Sequence, residues 1–99
     1  MDEVPTRKHV EAHAKAVVEG DTDTAINDFV PDMRQSAQEV AGKLPQPVED
    51  ADIEKLDMED DHANVQIRYS NERESLAIRM RWEEHDGRPM IVNAEPVKE

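Results

Sequence analysis

The feature that most constrains this chain is a single change in the spacing of its apolar residues. Before residue 48 they recur at intervals of three and four, the period of helices that bury one side. After residue 48 they alternate with polar residues, the period of strands that bury one face. A chain of 99 residues accommodates one small domain. We therefore predict a single domain over residues 1–99, with helices over about 6–44 and strands over about 48–96.

Local capping signals divide the helical part into three helices. The first can begin at Thr6 and end at Gly20, because threonine suits the N-cap and glycine suits the residue after a helix. A short second helix can begin at Asp21 or Thr22 and end at the next proline. The third is predicted over 32–44.

The second part is predicted to form four strands. The alternation changes phase between Ile53 and Leu56, which indicates a β-bulge near residues 54–55. Asp86-Gly87 predicts a hairpin turn in which both residues have positive φ. On the last strand we expect three inward side chains: Met90, Val92 and Ala94. The order of elements predicts an α+β fold, with three N-terminal helices packed on one face of a curved four-stranded antiparallel sheet.

Charge and composition exclude several functions. The formal net charge is -12, which disfavours nucleic-acid binding because phosphate recognition needs a basic surface. No apolar run approaches the roughly 20 residues of a membrane helix, and the N-terminus has no apolar signal region, so we expect a cytoplasmic protein that does not bind membranes. With no cysteine there is no disulfide and no thiolate metal site. The acidic surface can serve solubility, a basic protein partner or a salt-rich host.

Two segments resemble the NTF2-like superfamily, whose fold is also described as SnoaL-like or cystatin-like. Residues 9–33, HVEAHAKAVVEGDTDTAINDFVPDM, are similar to its opening, with Gly20-Asp21 at the junction of two helices and Phe29 as the closing aromatic. Residues 76–97, LAIRMRWEEHDGRPMIVNAEPV, are similar to its last hairpin. The chain lacks the hairpin that the family usually places between its second and third helices. The resemblance therefore implies an NTF2-like cone without its first hairpin and with a reduced cavity.

The resemblance implies a fold rather than one activity, because the family includes isomerases, cyclases, hydratases, ligand binders and assembly modules. Its isomerases use a tyrosine and buried carboxylates around the cavity. The first helix here has no tyrosine, and no acidic residue falls clearly on the inward side of the last three strands. We therefore transfer no catalytic residue and expect no cofactor.

The large inward side chains have two interpretations. They either fill the core or line a cavity for a small apolar ligand, since methionine adapts to irregular surfaces and Tyr and Trp add a polar group. The candidate pocket residues are Met33, Met58, Tyr69, Met80 and Trp82.

Two other polar groups are assigned no metal. His9 and His13 stand four residues apart, but HVEAH has its glutamate at the wrong position for a zinc-protease motif and no third ligand is evident. We expect them at the edge of the apolar stripe, with acid–base chemistry as an alternative. The acidic residues around 57–62 lack the glycine turn of a calcium loop and are expected to form a solvated hairpin tip.

The outward face of the sheet also has two interpretations. It is either a solvated ladder of charges or the contact of a homodimer, because arginine is enriched at interfaces and Glu83 and Glu95 can supply acidic partners. The candidate interface residues are Gln66, Arg68, Arg79, Arg81, Ile91 and Asn93.

These observations favour a small, non-enzymatic NTF2-like module that self-associates and binds a small apolar ligand. One alternative is a small lyase or isomerase that uses the same cavity. Another is an acidic domain that docks onto a basic protein. A histidine or carboxylate inside the cavity beside Tyr69 would favour the enzyme.

Overall fold

A computed structural model describes residues 2–97, in which all helices precede all strands. This order, with the helices against one face of a curved antiparallel sheet, confirms the predicted α+β class. The elements are α1 (Glu3–Glu19), α2 (Thr22–Asn27), a 3₁₀ turn (Pro31–Met33), α3 (Arg34–Ala41), β1 (Asp50–Met58), β2 (His62–Ser70), β3 (Ser75–His85) and β4 (Arg88–Pro96). Among the helices of residues 2–97, none has the length and apolar character that crossing a bilayer requires.

The helix ends follow local chemistry. Gly20 has φ 77° and its N–H bonds the carbonyls of the last turn of α1, as predicted for a glycine after a helix. The Asp21 side chain accepts the N–H of Thr24 and caps α2. α1 begins at Glu3 rather than at Thr6, so the proline at position 5 lies inside its first turn. A proline is tolerated there because N–H groups in the first turn have no helical partner. The third helix begins only at Arg34, after the 3₁₀ turn.

The four strands pair in sequence order, β1-β2-β3-β4. The predicted bulge in β1 is confirmed, because the pairing with β2 shifts between Ile53 and Lys55. The predicted hairpin turn is also confirmed, with φ of 52° at Asp86 and 83° at Gly87. The bulge thus adjusts the pairing of β1 with β2, and the tight turn connects β3 to β4.

A second bulge, in β4, overturns part of the predicted alternation. Trp82 pairs with Ile91, whereas the neighbouring Arg81 pairs with Asn93, so Val92 is an extra residue in the strand. An extra residue reverses which side chains face the core. The prediction that Ile91 lies on the outer face is therefore wrong: it is fully buried. Met90 and Val92 are half-buried, and Ala94 is buried as predicted.

The core lies between the helices and the inner face of the sheet. Val10 of α1 and Trp82 of β3 have no exposed surface. Phe29 forms a bridge with Ile91, in which the Val30 N–H donates to the Ile91 carbonyl and the Ile91 N–H donates to the Asp28 carbonyl. These bonds attach the segment after α2 to β4 and place Asp28 inside the molecule.

Candidate functional site

A cavity of about 390 Å³ opens between the helices and the sheet. Its wall is formed by the C-terminal half of α1, by α2 and α3, by the loop before β1, and by β2 and β3. Most of the lining is apolar, including Val17, Ile26, Phe29, Val40, Leu44 and Ile78. A surface of this composition suits apolar groups and disfavours an isolated charge.

The structure brings only two of the predicted pocket residues to this cavity. Tyr69 of β2 and Met80 of β3 line its wall. Trp82 is fully buried within the core, while Met33 and Met58 are half-buried and pack against the core elsewhere. These last three residues therefore belong to the core and its edge rather than to the cavity wall.

Three polar side chains are linked to one another at one wall of the cavity. His13 lines the cavity, and its Nδ1 lies 2.9 Å from a carboxylate oxygen of Asp28. The other carboxylate oxygen of Asp28 accepts a hydrogen bond from the guanidinium of Arg88. His13 and Asp28 are 3% and 7% exposed. Asp28 is thus a buried carboxylate with two partners, as a buried charge requires.

The partners of His13 fix its orientation. Its ring meets Phe29 and Trp82 edge-on, with ring centroids 6.0 and 5.7 Å away. Because an ionised carboxylate only accepts hydrogen bonds, Nδ1 of His13 carries the proton toward Asp28. In the neutral imidazole, Nε2 then has a lone pair that the bond to Asp28 does not use.

Tyr69 adds a second polar group to the cavity wall. Its side chain is 1% exposed, and no group in residues 2–97 forms a hydrogen bond with its hydroxyl. Burial, and secondarily the negative charge of Asp28, raise the pKa of Tyr69. The phenol therefore stays protonated and can donate a hydrogen bond.

Asp28 and Arg88 are not among the site residues predicted from the sequence. The strand pattern does not indicate Asp28, because Asp28 caps the C-terminal end of α2 and lies outside the strands. A negative charge at the C-terminal end of a helix is unfavourable because of the helix dipole. The position of Asp28 could therefore have indicated a cationic partner elsewhere in the chain. Arg88 follows the Asp-Gly turn, and nothing in its sequence neighbourhood indicates that it reaches Asp28.

Two glutamates pair with the arginines of β3 on the outer face of the sheet. Arg81 contacts Glu83 at 2.7 Å and Arg79 contacts Glu95 at 3.7 Å, within the same chain. All four side chains are partly exposed, so each pair contributes little to stability.

Glu54 links β1 to β2 on the same face. It accepts hydrogen bonds from Gln66 at 3.0 Å and from Arg68 at 3.1 Å. These bonds, that from Gln66 first, lower the pKa of Glu54. Asn93 is exposed on this face, so five of the six candidate interface residues lie there and Ile91 does not.

The remaining polar groups form no candidate site. The acidic turn joins β1 to β2 as predicted, and the Asp61 carboxylate pairs with Nδ1 of His62 at 2.7 Å. This hydrogen bond lowers the pKa of Asp61. His9 is half-buried on α1 and does not line the cavity. Within residues 2–97, no three His, Asp or Glu side chains come close enough together to hold a metal ion.

Comparison of the chain with protein-family models, with curated proteins and with solved structures found no match. An apolar cavity has an imidazole held by a carboxylate and a phenol in its wall. An imidazole held by a carboxylate is an arrangement that can exchange a proton with a neighbouring group.

Proposed function

We propose that this chain is an NTF2-like module whose cavity binds a small, mainly apolar molecule. The observation that carries the proposal is the cavity of about 390 Å³. Ligand pockets in proteins span about 300–1,000 Å³ and combine apolar walls with a few polar groups. Three helices followed by a curved antiparallel sheet are also what the resemblance to the NTF2-like superfamily implies.

A titration followed by ¹H–¹⁵N NMR tests this proposal. Tetralin, a bicyclic hydrocarbon, is expected to shift the amide signals of wall residues such as Gly20 and Ala41, and not that of Asn64 on the outer face. Ala41→Phe fills the cavity and should abolish the shifts. The matched control is Ala12→Phe on the exposed side of α1, which should leave them unchanged. Binding that survives Ala41→Phe would contradict a site in this cavity.

Self-association is part of the same proposal, with the outer face of the sheet as the homodimer contact. Its support is that the arginines of this face already have acidic partners, so a two-fold contact can cover them without isolating a charge.

Sedimentation at about 10–100 μM tests for the dimer, since these concentrations correspond to association free energies of about 5–7 kcal/mol. The double variant Arg79→Glu and Arg81→Glu should be a folded monomer, because both side chains are exposed. A wild-type protein that is monomeric over the whole range would contradict the dimer and support the alternative, in which this face is exposed to solvent.

Acid–base catalysis, as in a small lyase or isomerase, is a second candidate function. The favouring observation is the 2.9 Å contact between His13 and Asp28 in the wall that Tyr69 shares. Nε2 of His13 would take a proton from a carbon next to a carbonyl, while Asp28 holds the ring and stabilises the imidazolium. Return of the proton at another carbon is isomerisation, and departure of a leaving group instead is a lyase reaction.

Hydrogen exchange tests this second candidate without a known substrate. In D₂O, a general base that reaches a bound ketone replaces the protons next to the carbonyl by deuterium. Wild type should accelerate this exchange in 1-tetralone, and His13→Gln should not. His9→Gln, one turn away on the same helix and outside the cavity, is the matched control. Equal exchange rates with and without protein would exclude proton transfer by His13 to this ketone.

A further inference from the structure

The two edges of the sheet differ in their backbone hydrogen bonding. At the β4 edge, the Val30 N–H donates to the Ile91 carbonyl and the Ile91 N–H donates to the Asp28 carbonyl. Within residues 2–97, β1 pairs with β2 and forms no bridge on its other side. Every second N–H and C=O group of β1 therefore points away from the sheet, and such groups can pair with a further strand.

A groove of about 400 Å³ lies beside this edge, between α1 and β1. On the side of β1 it is lined by the consecutive residues 50–53. Because successive side chains of a strand point to opposite faces, contact with consecutive residues indicates that the backbone edge itself borders the groove. On the side of α1, Ala14 and Val18 add apolar surface. Free backbone groups beside an apolar groove are the surface that strand addition uses.

The charge around the groove indicates the chemistry of the partner. Glu11, Asp50 and Asp52 line the groove together with Lys15, so its lining is acidic overall. Arg68 lies opposite Asp52 on β2, but it is bonded to a glutamate of β1 and leaves the sign of this edge unchanged. Acidic surfaces attract and orient basic partners.

The alternation of β1 defines where each side chain of an added strand lies. Asp50 and Asp52 are exposed, whereas Ala51 and Ile53 are half-buried. Side chains of the added strand that lie beside the aspartates face the outer side of the sheet, and the side chains between them face the groove. Basic residues suit the first positions, and small apolar residues suit the second.

The same charges disfavour a second copy of this chain at the β1 edge. A two-fold pairing of β1 strands would bring the aspartates of the two copies together, and like charges on paired strands are destabilising. The bulge between Ile53 and Lys55 also interrupts the regular edge. Charges and bulges are the features that keep edge strands from pairing with each other, whereas a basic strand is attracted to an acidic edge.

We infer that the β1 edge binds an extended basic segment of a partner protein, which pairs with residues 50–53 and lengthens the sheet by one strand. Its Lys or Arg side chains lie beside Asp50 and Asp52, and its small apolar side chains enter the groove next to α1. The inference goes beyond the proposed function and does not depend on the ligand cavity.

A capped peptide of alternating lysine and valine, about seven residues long as in an ordinary strand, is the binding probe. Titration followed by ¹H–¹⁵N NMR over about 10 μM–1 mM, the range of weak association, gives its dissociation constant. The lysine peptide should shift the amide signals of residues 50–53 and of Ala14. It should bind roughly tenfold or more tightly than the same peptide with glutamate in place of lysine.

Two double variants distinguish the edge from the overall charge. Asp50→Asn with Asp52→Asn should weaken binding of the lysine peptide about three- to tenfold, the effect of two partly exposed ion pairs. Asp23→Asn with Asp32→Asn is the matched control, because it removes the same charge from exposed residues that do not line the groove. The control should change binding less than about twofold.

Backbone methylation of the peptide distinguishes strand pairing from charge attraction. One peptide is methylated at the amide nitrogens of its valines and another at those of its lysines. Because alternate N–H groups of a strand point to opposite edges, one of these peptides should lose binding and the other should retain it. In the wild-type protein, alternate amides of residues 50–53 should exchange with D₂O more slowly when the lysine peptide is bound.

Several results would overturn the inference. They are equal binding of the lysine and glutamate peptides, equal effects of the two double variants, the same response to both methylations, and unchanged amide exchange of residues 50–53 with the peptide bound. Slow exchange of these amides in the free protein that is lost on dilution would identify a second copy as the occupant and would overturn it too. None of these results bears on the apolar cavity, which other residues line.

Discussion

At the scale of single residues, the buried polar groups distinguish this protein from a simple apolar core. Asp28 is stabilised by two partners from distant parts of the chain, His13 of α1 and Arg88 of β4. Burying a carboxylate costs free energy unless such partners replace its water. Tyr69 has no such partner among residues 2–97 and is buried all the same. The buried polar groups therefore include one carboxylate with two partners and one phenol that has none among residues 2–97.

The ionisation of Tyr69 should be coupled to unfolding at high pH. Its raised pKa means that, above about pH 10, the unfolded chain loses a proton that the folded chain retains. The stability from the neutral phenol is thus fully present below this pH and is lost as the pH rises beyond it. Because the chain has one tyrosine, the phenolate absorbance should increase only together with the loss of circular dichroism.

Tyr69→Phe is the control for this titration, since it removes the ionising group and should shift alkaline unfolding to higher pH. Phenolate absorbance that develops near pH 10 with the circular dichroism unchanged would show that the phenol is accessible in the folded protein.

At the scale of elements, the two bulges show why one irregularity could be predicted and the other could not. In β1 the apolar residues change phase, so the pattern itself records the extra residue. In β4 three apolar residues, Met90, Ile91 and Val92, follow one another, so either alternation fits the sequence. Pairing with Trp82 and the bridge to Phe29 decide that Ile91 faces the core.

Alanine substitutions on either side of this bulge test the register of β4. Ile91→Ala should destabilise the protein by about 2–4 kcal/mol, because it leaves a cavity in the core. Val92→Ala removes a half-buried side chain and should cost about 1 kcal/mol or less. Chemical denaturation of both variants gives the comparison. A larger loss for Val92→Ala than for Ile91→Ala would restore the simple alternation and contradict the bulge.

At the scale of the whole molecule, the charge is distributed unevenly. Residues 1–61 contain 17 acidic and 6 basic residues, whereas residues 62–99 contain 7 and 6. The helices and β1 thus carry most of the net negative charge. On the outer face of the sheet, Arg68, Arg79 and Arg81 each pair with a glutamate. Such a surface repels itself and attracts cations.

Added salt should consequently stabilise the protein. Ions screen exposed charges over about 8–10 Å near physiological ionic strength, which weakens repulsion within a chain of net charge -12. We expect the melting temperature to rise as sodium chloride increases from low to moderate concentration. The pairs formed by Arg68, Arg79 and Arg81 act in the opposite direction but are partly exposed and weak. A melting temperature that falls with salt would mean that these pairs dominate.

The sequence by itself determined the features that depend on neighbouring residues. The change of period predicted α+β, Gly20 and Asp21 marked a helix end and a helix start, and Asp86-Gly87 marked a turn, because capping and turn conformation are local. Only the tertiary structure decided that His13, Asp28 and Arg88 meet, since these residues are 15 and 60 positions apart and their interaction depends on how α1, α2 and β4 pack. The cavity and the place of Ile91 were decided in the same way, because a void and a strand register are properties of packed elements rather than of any one segment.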